Sequence, residues 1–242
     1  MSQNAAVLDR VTVISGATGG LGKVAAHLFA GAGASLALVS RSQEKLDEMA
    51  AELGLPEERV FVYACDLSDA EKAQAAAKAV QDRFGRIEIL LNVVGGWIGG
   101  KTVLETSDED FRSMLEQHVW APYNLLKAFV PPMLAGGWGR VLAISTPNAL
   151  RPPGKNSPYA VGKAGMETLM LSLAQEAKGS GVTANLVLVQ AIDAKHEREN
   201  APNESNKNWS TPEEISATLL HLCREESRLI NGARIPLFGA PL

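Results

Sequence analysis

Short apolar, β-branched runs alternate along the chain with longer segments whose apolar residues recur every three or four positions, the period of one helix face. The runs predict strands at Val11–Ser15, Ser35–Val39, Val60–Ala64, Glu88–Val93, Arg140–Ile144, Thr183–Val189 and Arg234–Leu237. The helical segments fall between them, at Leu21–Ala32, Gln43–Leu53, Ala70–Phe84, Asp108–Leu134, Ser157–Lys178 and Pro212–Cys223. This order predicts an α/β doubly wound (Rossmann) fold, with a seven-stranded parallel sheet and helices on both faces. One stretch breaks the alternation. Lys195–Asn208 is polar and follows the sixth strand, where segments beyond the carboxyl ends of strands line the ligand crevice. It is read as the body of a substrate lid over residues 194–211, with a plain solvated loop as the alternative.

Composition narrows the class of ligand. A chain of 242 residues without an internal repeat or long linker fits one domain spanning 1–242, since α/β units of about 250 residues are common. Apolar residues make up 46%, yet no apolar run approaches the roughly 18 residues that cross a bilayer, so no membrane partner is expected. The net charge of −4 with no basic cluster argues against nucleic acid, because phosphate neutralisation needs concentrated Lys and Arg. Cys65 and Cys223 have no nearby His or second Cys, so they read as packing residues and not as a disulfide or metal site. The first ten residues lack a basic segment followed by an apolar one. A cytoplasmic protein acting on a small molecule is the expectation.

Ser15-Gly16-Ala17-Thr18-Gly19-Gly20-Leu21-Gly22 joins the first strand to the first helix. Glycines there allow a tight turn and close approach to a pyrophosphate, whose charge is met by free N–H groups at the helix start. The spacing Gly16-x-x-x-Gly20-x-Gly22 resembles the glycine turn of the short-chain dehydrogenase/reductase family. The resemblance continues through Asp66-Leu67 after the third strand, Asn92-Val93-Val94-Gly95 after the fourth, Tyr159-Ala160-Val161-Gly162-Lys163, and Ile230-Asn231-Gly232 before the last strand. It implies a nicotinamide dinucleotide held by Gly16, Thr18, Gly19, Gly20, Leu21, Gly22, Asp66, Leu67, Asn92, Val94, Gly95, Tyr159, Lys163 and Ile192. It also implies a homotetramer or homodimer formed through the helices that carry His118 and Tyr159. Ser40-Arg41 ends the second strand, where a carboxylate would select NAD(H). A guanidinium can instead clamp a 2′-phosphate with paired hydrogen bonds, so NADP(H) is favoured over NAD(H). Arg41 stacking on adenine or capping the next helix is the alternative.

Tyr159 and Lys163 are four apart in a helical segment and project from one face. An adjacent ammonium favours the phenolate of a tyrosine, which otherwise ionises near pH 10. The resemblance places a serine thirteen residues before the tyrosine; here that residue is Thr146, a hydroxyl with an added methyl, and Ser145 beside it is the structural hydroxyl on the opposite side of the strand. Three departures from the family pattern stand out: His118 where the family has Asn, Val189-Gln190 in place of Pro-Gly, and Ala194 in place of Thr. Pro122 has no N–H, so the helix is expected to kink and free the His118 carbonyl. The resemblance implies that this carbonyl holds a water linking Lys163 to solvent; the alternative is that Pro122 only bends the helix for packing and His118 is a satisfied core histidine.

Val94-Gly95-Gly96-Trp97-Ile98-Gly99-Gly100, with Asp193 and Trp209-Ser210-Thr211-Pro212, is locally similar to the dihydropteridine reductase branch. Trp97 would then stack on a flat substrate, or pack against the lid. The resulting expectation is an NADP(H)-dependent oxidoreductase moving hydride between nicotinamide and a carbonyl or alcohol carbon, with Thr146, Tyr159, Lys163 and His118 at the reacting end. A quinonoid dihydropteridine-like reductase and a dinucleotide-binding regulator without turnover are the alternatives.

Overall fold

A computed structural model describes residues 7–239; the amino-terminal residues on which the reading of a missing secretion signal partly rests, and residues 240–242, lie outside the described residues. Seven strands form one parallel sheet in the order β3-β2-β1-β4-β5-β6-β7. They are β1 Val11–Ser15, β2 Ser35–Ser40, β3 Val60–Ala64, β4 Ile89–Asn92, β5 Gly139–Ser145, β6 Val182–Leu188 and β7 Arg234–Pro236. The order reverses between β1 and β4, and a crevice opens there beyond the strands' carboxyl ends. β1, β4, β5 and β6 are buried along their whole lengths, whereas the edge strand β3 is partly exposed.

The helices are α1 Gly20–Gly31, α2 Gln43–Leu53, α3 Ala70–Phe84, α4 Asp108–Leu115, α5 Ala121–Gly136, α6 Ser157–Glu176, α7 Glu197–Asn200 and α8 Pro212–Leu222. Two apolar cores cover the two faces of the sheet. Alternation along β5 sends Val141 and Ala143 toward the core shared with α3, α5 and α6, and Leu142 and Ile144 toward the one shared with α1, α2 and α8. Cys65 and Cys223 are buried free thiols, as packing residues should be.

The segment expected as one kinked helix over 108–134 departs from that reading. Residues Glu116–Trp120 between α4 and α5 form a π-turn, in which the Ala121 N–H reaches back five residues to the Glu116 carbonyl. A wider turn lets the chain carry Pro122, which has no N–H to give, at the second position of α5. The expected single helix is thus interrupted by one turn of wider winding. Against this turn α6 approaches closely, because a Cβ on Gly162 would lie 2.9 Å from the His118 Cβ and 2.9 Å from the Met114 carbonyl oxygen.

Candidate active site

The glycine turn is a backbone device. Gly16 has φ +78°, and a Cβ there would sit 3.0 Å from the Val94 nitrogen, so only glycine lets the β1 turn meet the loop after β4. Gly22 serves packing: a Cβ on it would lie 2.3 Å from the Gly16 carbonyl oxygen. The start of α1 has no side-chain cap and no acidic residue in its first turn. By contrast α2, α3, α4 and α8 are capped by Ser42, Asp69, Ser107 and Thr211. The first N–H groups of α1 therefore remain available to an anion, which is what a pyrophosphate requires.

A cleft of about 340 Å³ runs from this turn across the carboxyl ends of β2, β3 and β4. Gly16, Thr18, Gly19, Ser40, Arg41, Asp66, Leu67, Val94 and Gly95 line it. Thr18 and Ser40 share a hydrogen bond of 2.8 Å, which fixes the end of β2 against the turn. Arg41 is exposed beside them, and Asp66 is held below the usual carboxylate range by hydrogen bonds from the Ser68 backbone and hydroxyl, with Arg41 adding to the effect. The Asn92 side chain is buried between the Ser15 hydroxyl and the Met166 sulfur and stands outside the lining of the cleft. Gly20, Leu21, Gly22, Ile192 and the reacting-end residues also stand outside its lining. Gly20 faces Ala194, 3.7 Å from where its Cβ would be.

Sequence reading missed the far wall. Ser113, Glu116, Gln117 and Ala121 close the cleft from the π-turn side, and Asn124 donates to the carbonyls of Leu67 and Ser68 at 3.1 and 2.8 Å. Their part is set by the π-turn and by pairing across more than fifty residues of sequence, and no local motif marks either.

At the catalytic end, Tyr159 and Lys163 lie one turn apart on α6. Lys163 is 4% exposed, and its ammonium donates to the Ile144 carbonyl at 2.8 Å. Burial pulls its pKa down to about 8, opposed by the charge of Glu167. Burial pushes Tyr159 up to about 12, the opposite direction from the phenolate bias expected of the ammonium. The Lys163 nitrogen is 5.9 Å from the tyrosine ring centroid. The consequence is a neutral phenol, hence a proton donor, at physiological pH. Thr146 is buried, and its hydroxyl accepts weakly from the Asn148 N–H at 3.4 Å. The Ser145 hydroxyl is committed to Glu167 at 2.5 Å, in keeping with a structural role.

His118 is fully buried. Its Nε2 lies 2.9 Å from the Gly96 carbonyl, which can only accept, so Nε2 carries the proton and Nδ1 is bare. Burial and the neighbouring Lys163 charge lower its pKa to about 4. The ring also meets Tyr159 edge-on, with centroids 5.3 Å apart. His118 thus joins the glycine loop after β4 to the tyrosine as a neutral group.

Trp97 is 63% exposed. Its indole N–H donates to Asn156 at 2.8 Å, and its ring lies where a Cβ on Gly99 would go. The segment expected to be a lid is anchored to its flanks: buried Asp193 accepts from the Glu197 and Arg198 N–H groups at 2.7 and 2.8 Å, and Arg198 reaches Glu214 on α8 at 2.6 Å.

Comparison with known proteins agrees with this geometry. The profile of the family described as short chain dehydrogenase matches residues 10–205. D-threitol dehydrogenase of Mycolicibacterium smegmatis is 29% identical over 239 residues, covering 95% of this chain and 92% of its own. Meso-2,3-butanediol dehydrogenase of Serratia marcescens is 29% identical over 241 residues, covering 96% and 94%. Among solved structures, L-sorbose reductase of Gluconobacter frateurii complexed with NADPH and L-sorbose is 26% identical, superposes with a TM-score of 0.86 and covers 99% of both chains.

Proposed function

The chain belongs to the short-chain dehydrogenase family and is an oxidoreductase; from that premise we propose that it uses NADP(H) to interconvert a carbonyl and an alcohol on a small substrate. The observation that carries the cofactor reading is the single cleft that joins an uncapped helix start to Arg41, with no carboxylate at the end of β2. A guanidinium there attracts a 2′-phosphate that a carboxylate would repel.

The glycine turn, Ser40, Arg41 and Asp66 would hold the dinucleotide, which would supply a hydride for reduction or accept one in oxidation. Tyr159, neutral at physiological pH, gives its proton to the oxygen that becomes an alkoxide. Thr146 holds that oxygen through its hydroxyl. Lys163 keeps a positive charge beside the phenol and stabilises the tyrosinate left after transfer until solvent returns the proton. His118 positions the loop after β4 through its hydrogen bond to the Gly96 carbonyl. Ile192, exposed two residues before the segment 194–211, is assigned to the nicotinamide end and that segment to a substrate lid. No helix among the described residues is long and apolar enough to cross a membrane. Trp120, Tyr123 and Val161 are exposed on α5, α6 and the turn between α4 and α5, which supports a homotetramer or homodimer through those elements.

A second reading, reduction of a pteridine-like ring, is favoured by the exposed Trp97 face alone. Following NADPH and NADH absorbance with ketones, quinones and dihydropterins separates the two. Ketone-dependent oxidation of NADPH in preference to NADH supports the proposal, and turnover restricted to dihydropterins refutes it.

A further inference from the structure

Glu167 takes no part in the chemistry above, yet it continues the catalytic row. Tyr159, Lys163 and Glu167 are spaced by four residues on α6, so their side chains lie along one face. Glu167 is 0% exposed, and a carboxylate leaves water at a cost unless charge and hydrogen bonds replace its hydration. Both oxygens are served. The Ser145 hydroxyl donates to Oε1 at 2.5 Å, and the Arg234 guanidinium donates to Oε2 at 2.6 Å. Ser145 ends β5 and Arg234 begins β7, so one carboxylate ties two strands to α6. The same end of β5 meets α6 again one turn earlier, where Lys163 donates to the Ile144 carbonyl. Thr146 follows directly.

We propose that Glu167 is a positioning residue of the active site: its carboxylate fixes the end of β5 against α6, so that Thr146, Tyr159 and Lys163 keep one geometry and the buried ammonium keeps a compensating charge. The inference rests on the roles given above to those three residues. The titratable groups that face Lys163 are Tyr159 and Glu167 on its own helix and His118 from the π-turn, while β5 presents a carbonyl. Tyr159 is neutral below about 12 and His118 is neutral above about 4. Glu167, ion-paired with Arg234, is the anion of the group. A tie that served folding alone could sit at any turn of α6. This one lies one turn from the ammonium and one residue from Thr146, and its charge opposes the loss of the Lys163 proton.

The test titrates the Lys163 ammonium by nitrogen-15 NMR in the wild type, in Glu167→Gln and in the double variant Glu167→Gln/Arg234→Met, beside pH profiles of kcat/KM. The double variant removes both charges, so a loss of stability from an unpaired guanidinium is separated from an effect on Lys163. In both variants the Lys163 midpoint is expected to fall by about one pH unit, the alkaline limb of kcat/KM to follow it, and the double variant to regain thermal stability over the single one. Glu167→Asp, which keeps the charge, is expected to keep the wild-type limb. An unmoved Lys163 midpoint in a folded variant overturns the inference, whatever the activity. A midpoint that moves while the alkaline limb stays removes Lys163 from the reaction, and so overturns the functional reading instead.

Discussion

The two ends of the site are built by opposite means. At the glycine-turn end the recognising groups are backbone N–H groups and exposed side chains, Arg41 and Asp66, set on a scaffold that needs glycine at position 16 for its turn. At the catalytic end the groups are ionisable and buried: Lys163, His118 and Glu167 are each at most 4% exposed. The first end costs little desolvation and depends on local chain geometry. The second depends on distant partners that replace lost hydration, so each of its members has a shifted pKa or a short hydrogen bond. Binding and chemistry should therefore fail separately on mutation.

The sharpest separation is at Tyr159. Tyr159→Phe keeps the ring and removes the proton, so turnover is expected to fall by at least about a hundredfold, with NADPH affinity retained by titration. Loss of affinity to a similar degree would break the division between the two ends.

His118 gives a stability test confined to the catalytic end. Its folded pKa of about 4 lies below the ordinary 6.5, so the unfolded chain binds the extra proton in that window. Stability is then lost as pH falls from 6.5 toward 4, by about 3 kcal/mol in total. His118→Asn can still donate to Gly96 but cannot titrate, and denaturant unfolding across that range should show the acid loss reduced. An unchanged pH dependence would place the acid sensitivity elsewhere.

How far the sequence could be read follows the same division. The turn 15–22 and the ends of β1 and β3 are legible because glycine spacing and β-branched runs act within a few residues of chain. The α6 pair Tyr159 and Lys163 is legible because helical spacing fixes its common face. Glu167 was not, since its importance appears only with Arg234, 67 residues away. Nor was the π-turn: Pro122 signals a missing N–H, and sequence alone does not say that the chain answers by winding wider over Glu116–Trp120. Asn92 has partners that its motif did not announce: the Ser15 hydroxyl meets its amide oxygen and the Met166 sulfur its amide nitrogen.

A smaller effect is expected at Gly162, where an added methyl would push on the His118 Cβ and the Met114 carbonyl. Gly162→Ala should cost about 1–3 kcal/mol in chemical unfolding and lower turnover through displacement of the π-turn. Wild-type stability would mean that α6 can shift without consequence. Smallest is Arg41→Ala, which removes one charge-assisted contact and should lower the preference for NADPH over NADH by about tenfold. Equal affinities already in the wild type would remove Arg41 from cofactor choice.

Hydride transfer to a carbonyl carbon is tested most directly by isotope. The wild-type protein is given NADPH deuterated at both C4 positions of the nicotinamide together with a ketone that it turns over, and the alcohol is weighed by mass spectrometry. The account predicts an alcohol carrying one deuterium on its carbinol carbon, formed in step with NADPH loss and lost with Tyr159→Phe. An alcohol free of deuterium, or NADPH consumed without reduction of the carbonyl, would contradict it.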